Sequence, residues 1–293
     1  MIGKFIQPSL VFFFVLTCPL YPQENTVAQP LRQELEFITY LMGRDDFKES
    51  LFLLEKLEVV NQDQKDSVLF LKGWIHYRIK SLDISAAYLE QVSGQSPFYL
   101  QSGLFSAYNY AHNGRLEKAG RILSRFSDPA DDRASSLVGL QQAGLSLLER
   151  NMDSFDRYAS GFSGQNHVTA TQEVRMIQYA LELNSRRDKS PLTAGILSAL
   201  VPGMGKVYAG KPAEGFAGLL YVSAMGVTAW DFYRGRGAKD PIFIISAALT
   251  GIFYAGNITG SVATARRVNT EFYHEMDQRI LFDMHIPLRS FFR

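Results

Sequence analysis

Residues 43–51 read GRDDFKESL, and the phrase returns three times: SLDISAA at 81–87, NGRLEKA at 113–119 and NMDSFDRY at 151–158. Each copy is a small or polar residue, charged residues, a large apolar residue and then a stretch of helical pattern. The apolar anchors Phe47, Ile84, Leu116 and Phe155 are separated by 37, 32 and 39 residues. A recurring unit of about 34 residues is the period of a helix–turn–helix repeat, in which stacked pairs bury a continuous core.

Within each unit the pattern fits two packed helices. The first helix ends in a small residue followed by aromatics, as in Gly73-Trp74-Ile75-His76-Tyr77 and Ala107-Tyr108-Asn109-Tyr110. The second places small residues such as Ala87 and Ala119 at the crossing, with apolar positions spaced for one helical face (Leu51, Leu54, Leu57; Ala119, Ile122, Leu123). Breakers at 94–97 and 127–129 separate the units. On these residues the stretch 31–184 resembles the tetratricopeptide-repeat family, with about four degenerate units. The resemblance implies a curved solenoid that binds a protein or peptide partner on its concave face. An unrelated helical bundle is the alternative reading.

The C-terminal third differs in kind. Residues 190–205, 215–230 and 241–265 are three uncharged, glycine-rich runs. The third has 25 uncharged residues, enough to cross a bilayer with some tilt. The second reaches spanning length only with its flanks, where Trp230 and Tyr233 suit an interface. The first is broken at Pro202-Gly203 and reads as a half-helix, an interfacial helix or a third pass. In the third run, Ala247, Gly251, Ala255, Thr259 and Ala263 recur every four residues, and Gly256 and Gly260 form a GxxxG. In lipid such small residues let helices approach closely, so this face is expected to pack on the second run, with self-association of the chain as an alternative. The segment Lys189-Ser190-Pro191 followed by Pro202-Gly203-Met204-Gly205-Lys206-Val207-Tyr208 and Gly210-Lys211 is similar to a small, uncharacterised family of bacterial membrane hairpins. That resemblance implies a membrane module over 190–265, with Pro202, Gly203, Gly205 and Tyr208 as its signature, and no catalytic residues. Residues 266–293 form an amphipathic tail whose apolar positions Phe272, Met276, Ile280 and Leu281 face the membrane or the repeats, with Pro287 as its end.

The N-terminus reads as an export signal over 1–28: Lys4, then the apolar stretch 6–16, then small residues around Ala28. An uncleaved anchor and a lipid-modified Cys18 are the alternatives. Cys18 is the single cysteine, so no disulfide framework or cysteine metal site is expected. The net charge of +1 gives no basic field for nucleic acid. The phrase Gly203-Met204-Gly205-Lys206 falls short of a phosphate loop, because Leu200 and Val207 stand where glycine and a hydroxyl residue are needed. The five histidines show no ligand spacing. No catalytic, cofactor or metal residues are therefore assigned.

The sequence thus predicts an all-α chain, a tetratricopeptide-like solenoid followed by a transmembrane helical hairpin. Its expected place is the bacterial inner membrane, multi-pass, with the repeats in the periplasm. Its expected role is non-enzymatic, a scaffold or adaptor for a protein partner, in contact with membrane lipids. The alternative role is a subunit of a transport or membrane-protein assembly complex, with membrane-subunit or homo-oligomer contacts.

Overall fold

The computed structural model describes residues 28–126 and 132–292. The export signal and Cys18 lie outside the described residues, as does the 127–129 breaker. Among the described residues every regular element is helical: α1 (Ala28–Gly43), α2 (Phe47–Lys56), α3 (Gln62–Arg78), α4 (Leu82–Leu89), α5 (Tyr99–His112), α6 (Leu116–Leu123), a 3-10 turn (Ser124–Phe126), α7 (Asp132–Leu148), α8 (Met152–Ala159), α9 (Ala170–Ser185), α10 (Pro191–Leu200), α11 (Met204–Tyr208), α12 (Pro212–Arg236) and α13 (Pro241–Phe291). The chain divides into two compact units. The first takes the described residues up to Leu145 together with those from Leu288 on, and the second is Ser146–Pro287.

One turn geometry recurs along the first half of the chain. The backbone is left-handed at Asp45, Lys80, Gly114 and Arg150, in steps of 35, 34 and 36 residues. At each of these the amide donates to the carbonyl three residues back (Met42, Tyr77, Ala111, Leu147), and the next amide donates to the carbonyl five back (Leu41, His76, Tyr110, Ser146). This is the double bond of a Schellman motif, which satisfies the last carbonyls of a helix and turns the chain into the next one. Counting from the left-handed residue puts the helices in common register. Seven residues before it stand Ile38, Gly73, Ala107 and Ala143; five after it stand Ser50, Ser85, Ala119 and Phe155; all are buried.

This register corrects two of the sequence anchors. The position two after the turn is held by Phe47, Leu82, Leu116 and Met152. Ile84 and Phe155 are therefore two and three places out, and Ile84 is 49% exposed. Ala87 is exposed too, and the small buried residues of α4 are Ser85 and Ala86. Side chains lock successive helices. Ser85 Oγ donates to the Gly73 carbonyl (2.7 Å), Asn109 Nδ2 donates to Ser85 Oγ (2.9 Å), and Ser106 Oγ donates to the Ala86 carbonyl (2.9 Å). A Cβ on Gly73 would lie 2.5 Å from Leu89, so α3 and α4 touch only because that residue is glycine.

The last residues of the chain belong to the first unit. Leu288 is buried, and the Phe292 ring lies 6.2 Å from Phe105. Phe105 is the centre of an aromatic cluster on α3 and α5, with Trp74 at 5.0 Å and Tyr77 at 5.1 Å. Burial pushes the Tyr77 hydroxyl up, and the charges of Arg289 and Arg78 pull it partly back.

In the second unit α9 lies antiparallel to the C-terminal half of α13. Asp283, fully buried, accepts from Arg175 Nη1 (2.9 Å) and from the Tyr179 hydroxyl (2.6 Å). Arg279 reaches Glu182 at 3.7 Å, and Lys189 and Asn269 exchange two bonds of 2.9 Å. Of the tail's apolar face, Met276, Ile280 and Leu281 are buried, so protein packing takes it. The tail is not a separate element. α13 runs unbroken from Pro241 to Phe291, with Pro287 inside it. No glycine or proline interrupts residues 261–286, and burial of Met276, Ile280, Met284 and Leu288 along one face outweighs the one helical hydrogen bond that Pro287 removes.

Candidate functional site

The signature residues Pro202, Gly203, Gly205 and Tyr208 lie along one reversal, built by the chain going out and coming back. Pro191 opens α10, and Ser190 Oγ caps it by accepting from the Thr193 amide (3.3 Å). Lys189 sits at the level of Asn269, Gly195 at Val262, Ser198 at Ser261, and Ala199 at Tyr254, whose hydroxyl donates to its carbonyl. α10 therefore descends along α13. Val201, Pro202 and left-handed Gly203 reverse the chain, and α11 returns beside α10. At the end of the return the Tyr208 hydroxyl accepts from the Ser190 amide (3.1 Å), and Lys189 lies 5.0 Å over the Tyr208 ring.

Close backbone contact runs through this reversal, beside a small core of Ala194, Ala209, Ala265 and Tyr208. A Cβ on Gly203 would lie 1.9 Å from the Gly215 carbonyl oxygen; on Gly205, 2.0 Å from that of Ala194; on Gly215, 2.5 Å from Val207 and 2.7 Å from the Gly203 carbonyl. Ser198 Oγ ties three strands of the site, accepting from the Gly205 amide (3.0 Å) and donating to Ser261 Oγ (2.7 Å), which in turn donates to the Asn257 carbonyl. Asn257 is 8% exposed, and neither its Nδ2 nor its Oδ1 has a hydrogen-bond partner among the described residues. A Cβ on Gly218 would lie 2.7 Å from Oδ1, so that oxygen rests on the bare backbone of α12.

α12 and the first half of α13 run in opposite directions from the turn at left-handed Gly237. Tyr233 meets Phe243 (5.3 Å), Tyr221 meets Phe253 (6.3 Å), and Glu214 meets Arg267 (3.5 Å). A cleft of about 420 Å³ lies between them, lined by Leu220, Tyr221, Ala224, Met225, Thr228, Ser246 and Leu249. Among the described helices, α13 alone is long and apolar enough to cross a membrane, and its apolar window is only 6% buried. Apolar side chains also stand uncovered on α10 (Leu192, 73% exposed; Ile196; Leu200, 75%) and on α12 (Phe216, Leu220, Val227, Trp230).

The expected small-residue face of α13 is placed differently. Gly251, Ala255, Gly256 and Thr259 are exposed, and nothing lies within 4 Å of a Cβ on Gly251 or Gly256. Ala247 is half-buried, and Gly260 touches only the Lys206 side chain, at 3.8 Å from its Cβ position. The face turned inward carries Asn257, Ser261 and Thr264 instead. The reason is that α12 brings its own glycine, Gly218, to the crossing with α13 at Asn257, so close approach there needs no glycine from α13. Sequence reasoning missed Ser198, Gly215, Gly218 and Asn269; it expected Asn257 to hydrogen-bond a neighbouring helix, whereas its side chain packs on Gly218 without a hydrogen bond among the described residues. The signal available was the clustering of glycine just after Gly210-Lys211.

No protein-family model, no curated protein and no solved structure matches the chain.

Proposed function

We propose that this chain is a membrane-anchored adaptor of the bacterial envelope, with tetratricopeptide-like helix pairs that bind a protein partner and a two-pass hairpin, α12 and α13, that holds it in the inner membrane. The observation that carries the adaptor part is the same Schellman turn at Asp45, Lys80, Gly114 and Arg150, the expected mark of a stacked helix-pair array. The anchor part rests on the uncovered apolar window of α13, on the antiparallel register of α12 with it, and on the likeness of 189–211 to bacterial membrane hairpins. α12 has 25 residues, about 37 Å of helix, the length of a span, with its sixteen-residue uncharged run reaching that length only through its polar flanks. In this reading α10 and α11 are a re-entrant element that enters and leaves on one side. Lys189 and Arg266 then share that side, and Arg234, Arg236 and Lys239 stand on the cytoplasmic side as the positive-inside preference requires.

The partner surface is the exposed part of the first helix pair, where Phe37 and Tyr40 stack at 6.4 Å and Arg44 lies 5.9 Å over Tyr40. In the Trp74–Tyr77–Phe105 cluster, Phe105 is met by the chain's own Phe292 at 6.2 Å. A second reading, a subunit of a transport or assembly complex, is favoured by the exposed Gly251, Ala255, Gly256 and Thr259, which offer a second membrane helix a close approach.

Reporter tags after Asn184, after Gly237 and at Arg293 test the anchor: 184 and 293 outside with 237 inside is the expected result, and a cytoplasmic 184 overturns both the periplasmic placement and the export signal. A photo-crosslinking residue at Tyr40 in intact cells tests the adaptor, with one at Tyr77 as its covered control. A discrete adduct from 40 and none from 77 is expected, and none from either overturns the partner role.

A further inference from the structure

We infer that Lys206 is the headgroup site for an anionic phospholipid, held by the re-entrant turn below the level of the surrounding cations; this rests on the membrane placement of α10–α13 just proposed. The Lys206 side chain is half-buried and lies along α13, with Nζ 4.0 Å from the Cβ position of Gly260. Its ammonium makes no hydrogen bond and no ion pair among the described residues. The nearest acid in the motif, Glu214, is engaged by Arg267. From Gly260 to Arg266 is six residues of one straight helix, about 9 Å along its axis. Lys206 therefore sits inside the apolar part of the span, where an unpaired cation is costly and calls for a counter-ion.

The surroundings select the counter-ion. Lys211, half-buried, and Arg266, exposed, also lack ion pairs among the described residues and stand above Lys206, and Lys189 is held over Tyr208 at the same end. These cations line the path a phosphate would take from the headgroup layer down to Lys206. On α10, Leu192, Ile196 and Leu200 stand at spacings of four, all exposed and on one face, a strip suited to an acyl chain. A soluble anion would use the cations and leave the strip bare. A zwitterionic lipid would use the strip and bring a second positive group toward the lysines. An anionic diacyl lipid uses both.

The test uses the full chain in detergent micelles doped with phosphatidylglycerol or phosphatidylcholine, read by native mass spectrometry. The wild type should retain phosphatidylglycerol in preference to phosphatidylcholine. Lys206→Met should lower that retention about fivefold, while Lys239→Met, at the opposite end of the span, leaves it unchanged. Equal retention by Lys206→Met with unaltered helicity overturns the site, as does a wild type with no preference between the lipids. Displacement of the lipid by millimolar inorganic phosphate also overturns it, assigning the cations to a small anion. Release of the chain from membranes by alkaline carbonate is the separate result that would sink the membrane reading itself.

Discussion

The helix pairs and the glycine-packed reversal solve the same problem, a tight change of chain direction, with opposite materials. In the pairs the left-handed position is filled by Asp45, Lys80 and Arg150 and by glycine only at 114. Nothing lies within 4 Å of a Cβ on Gly114, so that turn has room. In the reversal Gly203 is left-handed and its Cβ position is already occupied by the Gly215 carbonyl. The pairs are held by buried side chains such as Leu54, Ile75, Leu89 and Leu123, which water drives inward. The reversal has uncovered leucines outside and touching backbones inside. In the proposed bilayer setting burying leucine gains little, and close backbone contact takes its place.

Gly203→Ala strikes this contrast hardest. The new methyl would meet a carbonyl oxygen and a disfavoured backbone angle together, so a loss of at least about 3 kcal/mol is expected. Gly114→Ala meets the angle alone and should cost about 1 kcal/mol. Thermal unfolding of the two full-length variants in the same detergent checks the ranking. Equal losses would mean that conformation alone, and not backbone contact, governs the reversal.

The sequence showed the period of the pairs but not their register. Gly114 follows Asn113 and is visible as a turn, whereas Asp45, Lys80 and Arg150 carry no local sign that they adopt a left-handed angle. Reading by large apolar residues therefore placed Ile84 and Phe155 where Leu82 and Met152 stand. In the reversal, Pro202, Gly203, Gly205 and Tyr208 were legible as a motif. Their partners Gly215, Ser198 and Ser261 were not, because which face of α13 turns inward depends on contacts between residues as far apart as Ser198 and Ser261.

A smaller effect is expected where α9 meets α13, a junction that belongs to neither style because a buried charge organises it. Asp283→Asn should cost about 2 kcal/mol, below the usual figure for a broken buried pair because the Arg175 side chain is 45% exposed. The Tyr179 hydroxyl is pushed up to about 12 by burial and then by its bond to Asp283. An unfolded tyrosine ionises near 10, so the folded protein holds its proton more tightly. Stability should be intact below pH 10 and fall between pH 10 and 12, since unfolding then releases a proton. In Asp283→Asn that slope should flatten, measured as unfolding midpoint against pH. An unchanged slope would remove Asp283 as a cause.

The smallest change should run the other way. Lys80 holds its left-handed angle of 62° with no side-chain hydrogen bond or ion pair among the described residues. Lys80→Gly removes that strain, though the freer unfolded chain gives part of it back, leaving a gain of roughly 0.5 kcal/mol. Arg150, at 59°, fills the equivalent position but reaches Asp277 at 2.6 Å and the Tyr273 ring at 5.2 Å. Arg150→Gly should therefore destabilise, although it relieves the same angle. Opposite signs at two geometrically equivalent turns, read as shifts in unfolding midpoint, would show that the turn sets the backbone while the local partners decide which residue belongs there. Stabilisation by both would mean that the Arg150 contacts contribute less than the strain, and that the turn alone governs this position.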